Sequence, residues 1–159
     1  MAKINSLLDE YGESHQNPTN ELVHWICVPA IVLSLLGLIW SIPVPAFLTA
    51  ITIGPIAFNW ALVLIVFALI YYFSLSISLA IGMLAVIGFL LCIGYLLATQ
   101  IPLPLWATSI IIFVLAWIGQ FWGHKIEGKK PSFLKDVQFL LIGPVWLLSF
   151  IYRRLGIAY

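Results

Sequence analysis

The chain has 159 residues, of which 63% are apolar and 8% charged, with seven Lys and Arg, six Asp and Glu, and a formal charge of +1. Soluble domains are about a quarter charged, so this composition excludes an ordinary soluble protein, and a mean hydropathy of +1.11 indicates one membrane-embedded domain. No basic stripe with interleaved stacking aromatics is present, which excludes a nucleic-acid binder.

Between Leu22 and Gly123 there is no Asp, Glu, Lys or Arg. A bilayer imposes such a gap, because a charge at the hydrocarbon centre costs ~2.5–3.5 kcal/mol on the insertion scale. All three histidines, His15, His24 and His124, stand at or just outside its borders. Acids crowd the N-terminus (Asp9, Glu10, Glu13, Glu21) and bases the C-terminal third (Lys125, Lys129, Lys130, Lys135, Arg153, Arg154). The first apolar run follows acids rather than a basic segment and precedes no small-residue cleavage site, so it does not read as a signal peptide. Cys27 and Cys92, inside apolar runs, read as small hydrophobes.

Taken in chain order, residues 3–14 place Ile4, Leu7, Leu8 and Tyr11 at i, i+3, i+4 and i+7, the pattern of an amphipathic helix lying on a membrane surface. Asn17-Pro18 reads as an N-cap and first helical residue, opening a helix that carries His24 into a first span over roughly 22–41. Gly54-Pro55 divides the next apolar stretch into a lead-in and a second span near 56–73. Ser74, Ser76 and Ser78 mark a tight turn before a third span over about 78–98, and a Pro-rich turn at 99–104 leads to a fourth over about 105–122. The last apolar run, 137–152, holds Gly143-Pro144 and ends in two arginines. It is short for a crossing, which needs ~20 residues, and reads as a re-entrant or interfacial helix. The fold expected is therefore an all-α membrane protein of four spans, with an N-terminal amphipathic helix and a C-terminal short apolar helix. Residues 1–21 form a surface helix and site loop, 22–122 the spans, and 123–136 a basic loop.

Four spans return His24 and His124 to one face, which His15 shares. By the positive-inside rule that face is cytosolic. Two polar clusters converge there. The first holds Tyr11, His15, Asn17, Asn20, Glu21 and His24; the second holds Gln120, His124 and Glu127 at i, i+4 and i+7. Imidazole suits iron, zinc, copper and nickel, and two or three histidines with an optional carboxylate leave positions open for dioxygen and substrate. Three histidines are too few for the histidine-rich di-iron plan of membrane desaturases. Each element also has a plainer reading. Asn17 and Asn20 serve equally as caps, Trp25, Trp40, Trp106, Trp122 and Trp146 as interfacial belt residues, and Asn59 as glue between helices.

The segment Tyr11-x3-His15-x-Asn17-Pro18-x-Asn20-x3-His24-x4-Pro29, together with Trp117-Ile118-x-Gln120-Phe121-x-Gly123-His124 followed by Glu127, Pro131 and Asp136, resembles the 2-hydroxy fatty acid dioxygenase family of the phytosphingosine-to-odd-chain fatty acid pathway. The resemblance covers nearly the whole chain, and the combination of both halves is what makes it specific. It implies an Fe(II)-dependent multi-pass membrane dioxygenase of fatty-acid α-oxidation, which uses O2 to shorten a 2-hydroxy acid by one carbon. On that resemblance His15, His24 and His124 are the metal ligands, Gln120, Asn17 and Asn20 orient them, and Lys129 or Lys130 attracts the carboxylate. The sequence departs from the family pattern in setting two residues rather than three between His124 and Glu127, so Glu127 takes a supporting role. Expected partners are a fatty-acyl substrate, O2 and membrane lipids, with a homo-oligomer open. The expected location is an inner membrane in a bacterium, which the absence of a lysine retrieval signal favours, or the endoplasmic reticulum in a eukaryote. Two other classes stay open: a non-catalytic lipid-binding membrane protein with structural histidines, and a b-type haem protein using His24 and His124.

Overall fold

The computed structural model describes residues 2–13, 15–128 and 133–159, with side chains described up to 128 and again from 140. Lys129, Lys130 and Pro131, and the side chain of Asp136, lie outside the described residues. Six α-helices make up the architecture: α1 (Ala2–Gly12), α2 (Pro18–Trp40), α3 (Trp60–Leu75), α4 (Ile77–Gln100), α5 (Leu105–Glu127) and α6 (Phe133–Leu155). By length and composition α2, α4 and α5 can each cross a membrane. Helix α3 is equally apolar but has 16 residues, about 24 Å at 1.5 Å per residue against a hydrocarbon core of about 30 Å. Large apolar side chains such as Phe67, Ile70, Ile81, Phe89, Leu115 and Ile118 point outward and are exposed, which suits a lipid-facing surface and no aqueous one.

Local chemistry explains the boundaries. Asn17 caps α2, its Oδ1 accepting from the backbone N–H groups of Thr19 (2.9 Å) and Asn20 (3.4 Å), and Pro18 takes the first helical position, where a missing N–H costs nothing. The serine-marked turn is a single extended residue, Ser76, whose Oγ caps α4 by accepting from Leu79 N. Between α2 and α3 lies a two-residue-per-strand hairpin, β1 (Thr52–Ile53) with β2 (Ile56–Ala57), in register Thr52 to Ala57. Its turn sets Gly54 at φ +58°, where a side chain would strain the backbone. Asn59 therefore sits before α3 rather than inside a span, and its Nδ2 donates to Ala57 O at 3.0 Å. It closes the loop instead of gluing helices.

The bundle is organised around an antiparallel seam between α2 and α5. Gly123 lies against Asn20 and Val23, Gly119 against Val23 and Cys27, and Gly37 against Ser109. Small residues let the two backbones approach, the usual solution where lipid gives no hydrophobic drive between helices. A Cβ at Gly119 would collide with the Cys27 Sγ. The seam brings the start of α2 beside the end of α5.

Two helices close that end. Helix α6 is a single helix of 23 residues running through Pro144, longer than the 137–152 segment the hydropathy outlines. Its described contacts include several at the end where α2 begins. Tyr72 Oη donates to Leu141 O (2.9 Å), Tyr152 Oη donates to Ser78 O (2.8 Å), Gly82 meets Leu148 and Tyr152, and Gly143 meets Tyr11 and Val28. Helix α1 then packs on α6, burying Ile4, Leu8 and Tyr11. The apolar stripe expected to face lipid is covered by protein instead.

Candidate metal centre

The three histidines come from three separate pieces of chain. His15 follows α1, with its backbone N–H donating to Gly12 O at 2.9 Å; His24 sits two turns into α2; His124 sits in the last turn of α5. The seam and the short 13–17 connection bring them together. Ring centroids are 4.2 Å apart for His15 and His24, 5.2 Å for His24 and His124, and 5.5 Å for His15 and His124. One ligand nitrogen from each lies within 4.8 Å of the others, and they form a candidate metal-holding group among the described residues.

Hydrogen bonding sets which nitrogens face inward. His15 Nδ1 lies 2.6 Å from Tyr11 O and His24 Nδ1 lies 2.9 Å from Asn20 O, both i to i−4 contacts with helix carbonyls. A carbonyl can only accept, so each Nδ1 carries the proton and donates it. With both rings neutral, each Nε2 is then a lone-pair donor, and the two Nε2 atoms face each other at 2.9 Å. Two facing lone pairs in a buried site repel, and a shared cation removes the repulsion. Imidazole–metal bonds of about 2.0–2.1 Å meeting near a right angle would set two nitrogens about 3 Å apart, which matches the observed spacing. Donation of the outer ring N–H to a carbonyl is also how metal-binding imidazoles are ordinarily oriented. The donor set thus fits a divalent transition metal, iron included.

The surroundings are buried and rigid. His15 is 6% exposed and His24 1%. Tyr11 stacks on His15 with ring centroids 4.3 Å apart and planes 9° from parallel, and Trp146 lies 5.3 Å from His15 and 5.2 Å from Tyr11. Glu127 is turned away from the imidazoles toward the chain that carries them. Its Oε1 accepts from Gln16 N (2.9 Å), and its Oε2 accepts from Asn17 N (3.0 Å) and Asn20 Nδ2 (3.0 Å). A cleft of ≈ 380 Å³ reaches His15 from outside, lined by Asp9, Glu13, Glu21 and Arg153 as well as Trp146 and Phe150.

Of the residues singled out in the sequence, His15, His24 and His124 meet in one place. Asn17 acts as the cap of α2. Asn20 holds His24 through its backbone carbonyl and Glu127 through its side-chain amide. The side chain of Gln120 is 6% exposed and its Oε1 has no hydrogen-bond partner. Trp146 was not legible as part of the centre: on hydropathy it belongs to an interfacial belt, whereas it is 4% exposed and packed beside His15. Trp106 and Trp122 are exposed, as belt residues are.

A family model described as "2-hydroxy-palmitic acid dioxygenase Mpo1-like" matches residues 1–155. The chain belongs to this Mpo1-like family. Among curated proteins it is similar to the 2-hydroxy-palmitic acid dioxygenase MPO1 of Saccharomyces cerevisiae (strain ATCC 204508 / S288c), 26% identical over 158 residues, which cover 98% of this chain and 83% of that protein. No solved structure matches the chain. The Mpo1-like match spans both histidine segments and the helices between them.

Proposed function

We propose that this Mpo1-like protein is an Fe(II)-dependent dioxygenase of the membrane that cleaves 2-hydroxy fatty acids between C1 and C2. The observation that carries the reading is the pair of Nε2 atoms 2.9 Å apart, each fixed as a lone-pair donor by a helix carbonyl, with His124 beside them. The yeast relative's name, a 2-hydroxy-palmitic acid dioxygenase, supports the substrate class. Atoms balance if the 2-hydroxy acid and O2 give the acid one carbon shorter, carbon dioxide and water.

Bound iron would supply a Lewis-acidic centre that gathers the substrate's oxygen atoms and O2 in reacting geometry. The protein's part is to present and shield that centre. Tyr11 O and Asn20 O hold the Nδ1 protons of His15 and His24, keeping both inner nitrogens basic. Glu127 ties the His15 connection to the end of α5. Tyr11 stacks on His15 and Trp146 packs beside it, holding the ring in place. We further propose that α2, α3, α4 and α5 all cross the membrane, with the hairpin before α3 making up its length. Both histidine ends then lie on one side, which the basic residues mark as cytosolic. The acyl chain lies among the outward apolar faces, and its head reaches the centre at the surface.

The reading is tested by incubating iron-loaded protein in detergent with 2-hydroxypalmitate under air and following O2 uptake and products by mass spectrometry. Pentadecanoate formed in step with O2 consumed is the expected result, with incorporation of label from ¹⁸O2. Absence of chain shortening for every 2-hydroxy acid offered, in protein that holds iron, contradicts it.

A further inference from the structure

Among the described residues four buried side-chain atoms have no hydrogen-bond partner: Asn20 Oδ1, Asn59 Oδ1, Trp117 Nε1 and Gln120 Oε1. Gln120 is 6% exposed and its Oε1 has no hydrogen-bond partner. Its height in the seam is fixed by its neighbours: Gly119 meets Val23 and Cys27, and Gly123 meets Asn20 and Val23. Gln120 therefore stands at the level of His24, one helical turn before His124, on the buried side of α5 with Ala116 and Gly123. An acceptor withdrawn from water with nothing to bind bears its full desolvation cost, and polar groups inside a membrane-spanning helix are expensive and point to function. Asn20 Oδ1, completely buried against Gly123, is a second unpaired acceptor a turn further along the same seam. Two orphan acceptors next to a metal-binding set call for a ligand that brings a donor. A carboxylate brings none. A hydroxyl on the adjacent carbon does.

Resting on the dioxygenase reading, we propose that Gln120 Oε1 accepts a hydrogen bond from the 2-hydroxyl of the substrate and so selects hydroxylated over unsubstituted fatty acids. A site built to pair with a hydroxyl rejects the analogue lacking it because the protein's own polar atom is then left unpaired. The test is binding, read from quenching of tryptophan fluorescence in metal-free protein, so that chelation by a metal does not contribute. Wild type and Gln120→Met are titrated with 2-hydroxypalmitate and palmitate. One neutral hydrogen bond predicts a roughly three- to tenfold preference for the hydroxy acid in the wild type, abolished in Gln120→Met with palmitate binding unchanged or tighter. Gln120→Glu, which keeps an acceptor, retains part of the preference and controls for folding. A preference that survives intact in Gln120→Met, or none in the wild type while it turns over 2-hydroxy acids, overturns the assignment of Gln120 alone. A wild type that neither binds nor converts any 2-hydroxy acid removes the dioxygenase reading and this inference with it.

Discussion

Glu127 and His124 are separated by two residues, and the structure gives that spacing a physical meaning. Three residues on, a side chain at the last helical position points past the imidazole toward the chain entering α2, where Gln16 N, Asn17 N and Asn20 Nδ2 converge on its carboxylate. Glu127 ties the 15–17 connection, through Gln16 N and Asn17 N, to the end of α5. Groups that support ligands in this way typically contribute 10–100-fold in metal affinity. Glu127→Ala is therefore expected to weaken Co(II) binding by roughly that factor while leaving the position of the visible absorption bands unchanged, because the ligands stay the same. A changed spectrum would make Glu127 a ligand. The histidines and the Asn17 cap were legible because each is a residue type with a narrow chemical use at a fixed spacing. Trp146 and the orphaned Gln120 oxygen were not, because what distinguishes them is burial by α6 and α2, which no local pattern records.

At the scale of elements, hydropathy located every helix because each bilayer-facing stretch must hide its backbone inside a helix. It could not say where a short apolar helix lies. The apolar run of α6 with its two terminal arginines, and α1 with Asp9 and Glu10 near its end, each read as lying at the membrane surface, yet the two helices pack on one another and α1 buries its apolar face there. This pairing sets Tyr11 and Trp146 around His15. Among the described residues, Leu141, Gly143, Leu148 and Tyr152 of α6 meet α3, α4 and α2 toward the end where His24 lies. In a Cys92→Ser background, single cysteines at Glu10, Lys125 and Ile157 are expected to react with an impermeant maleimide from the same side of sealed vesicles, and one at Phe47, on the exposed turn after α2, from the other. Reaction of the Ile157 position from the Phe47 side would make α6 a crossing helix.

At the scale of the molecule, the fold is a means of bringing the two ends of a hundred-residue uncharged segment to one place. Neither end holds a complete site. His15 and His24 arrive on α2 and the connection before it, His124 on α5, and the small-residue seam through Gly37, Gly119 and Gly123 sets their spacing. The central claim is that this convergence exists to hold one metal ion. It is tested most directly by elemental analysis of anaerobically purified protein beside folded His15→Ala, His24→Ala and His124→Ala variants. The account predicts about one iron per wild-type chain after ferrous loading, lost in each variant. Wild-type protein that binds no metal, or variants that keep it, would contradict the account and leave the three histidines as a structural cluster.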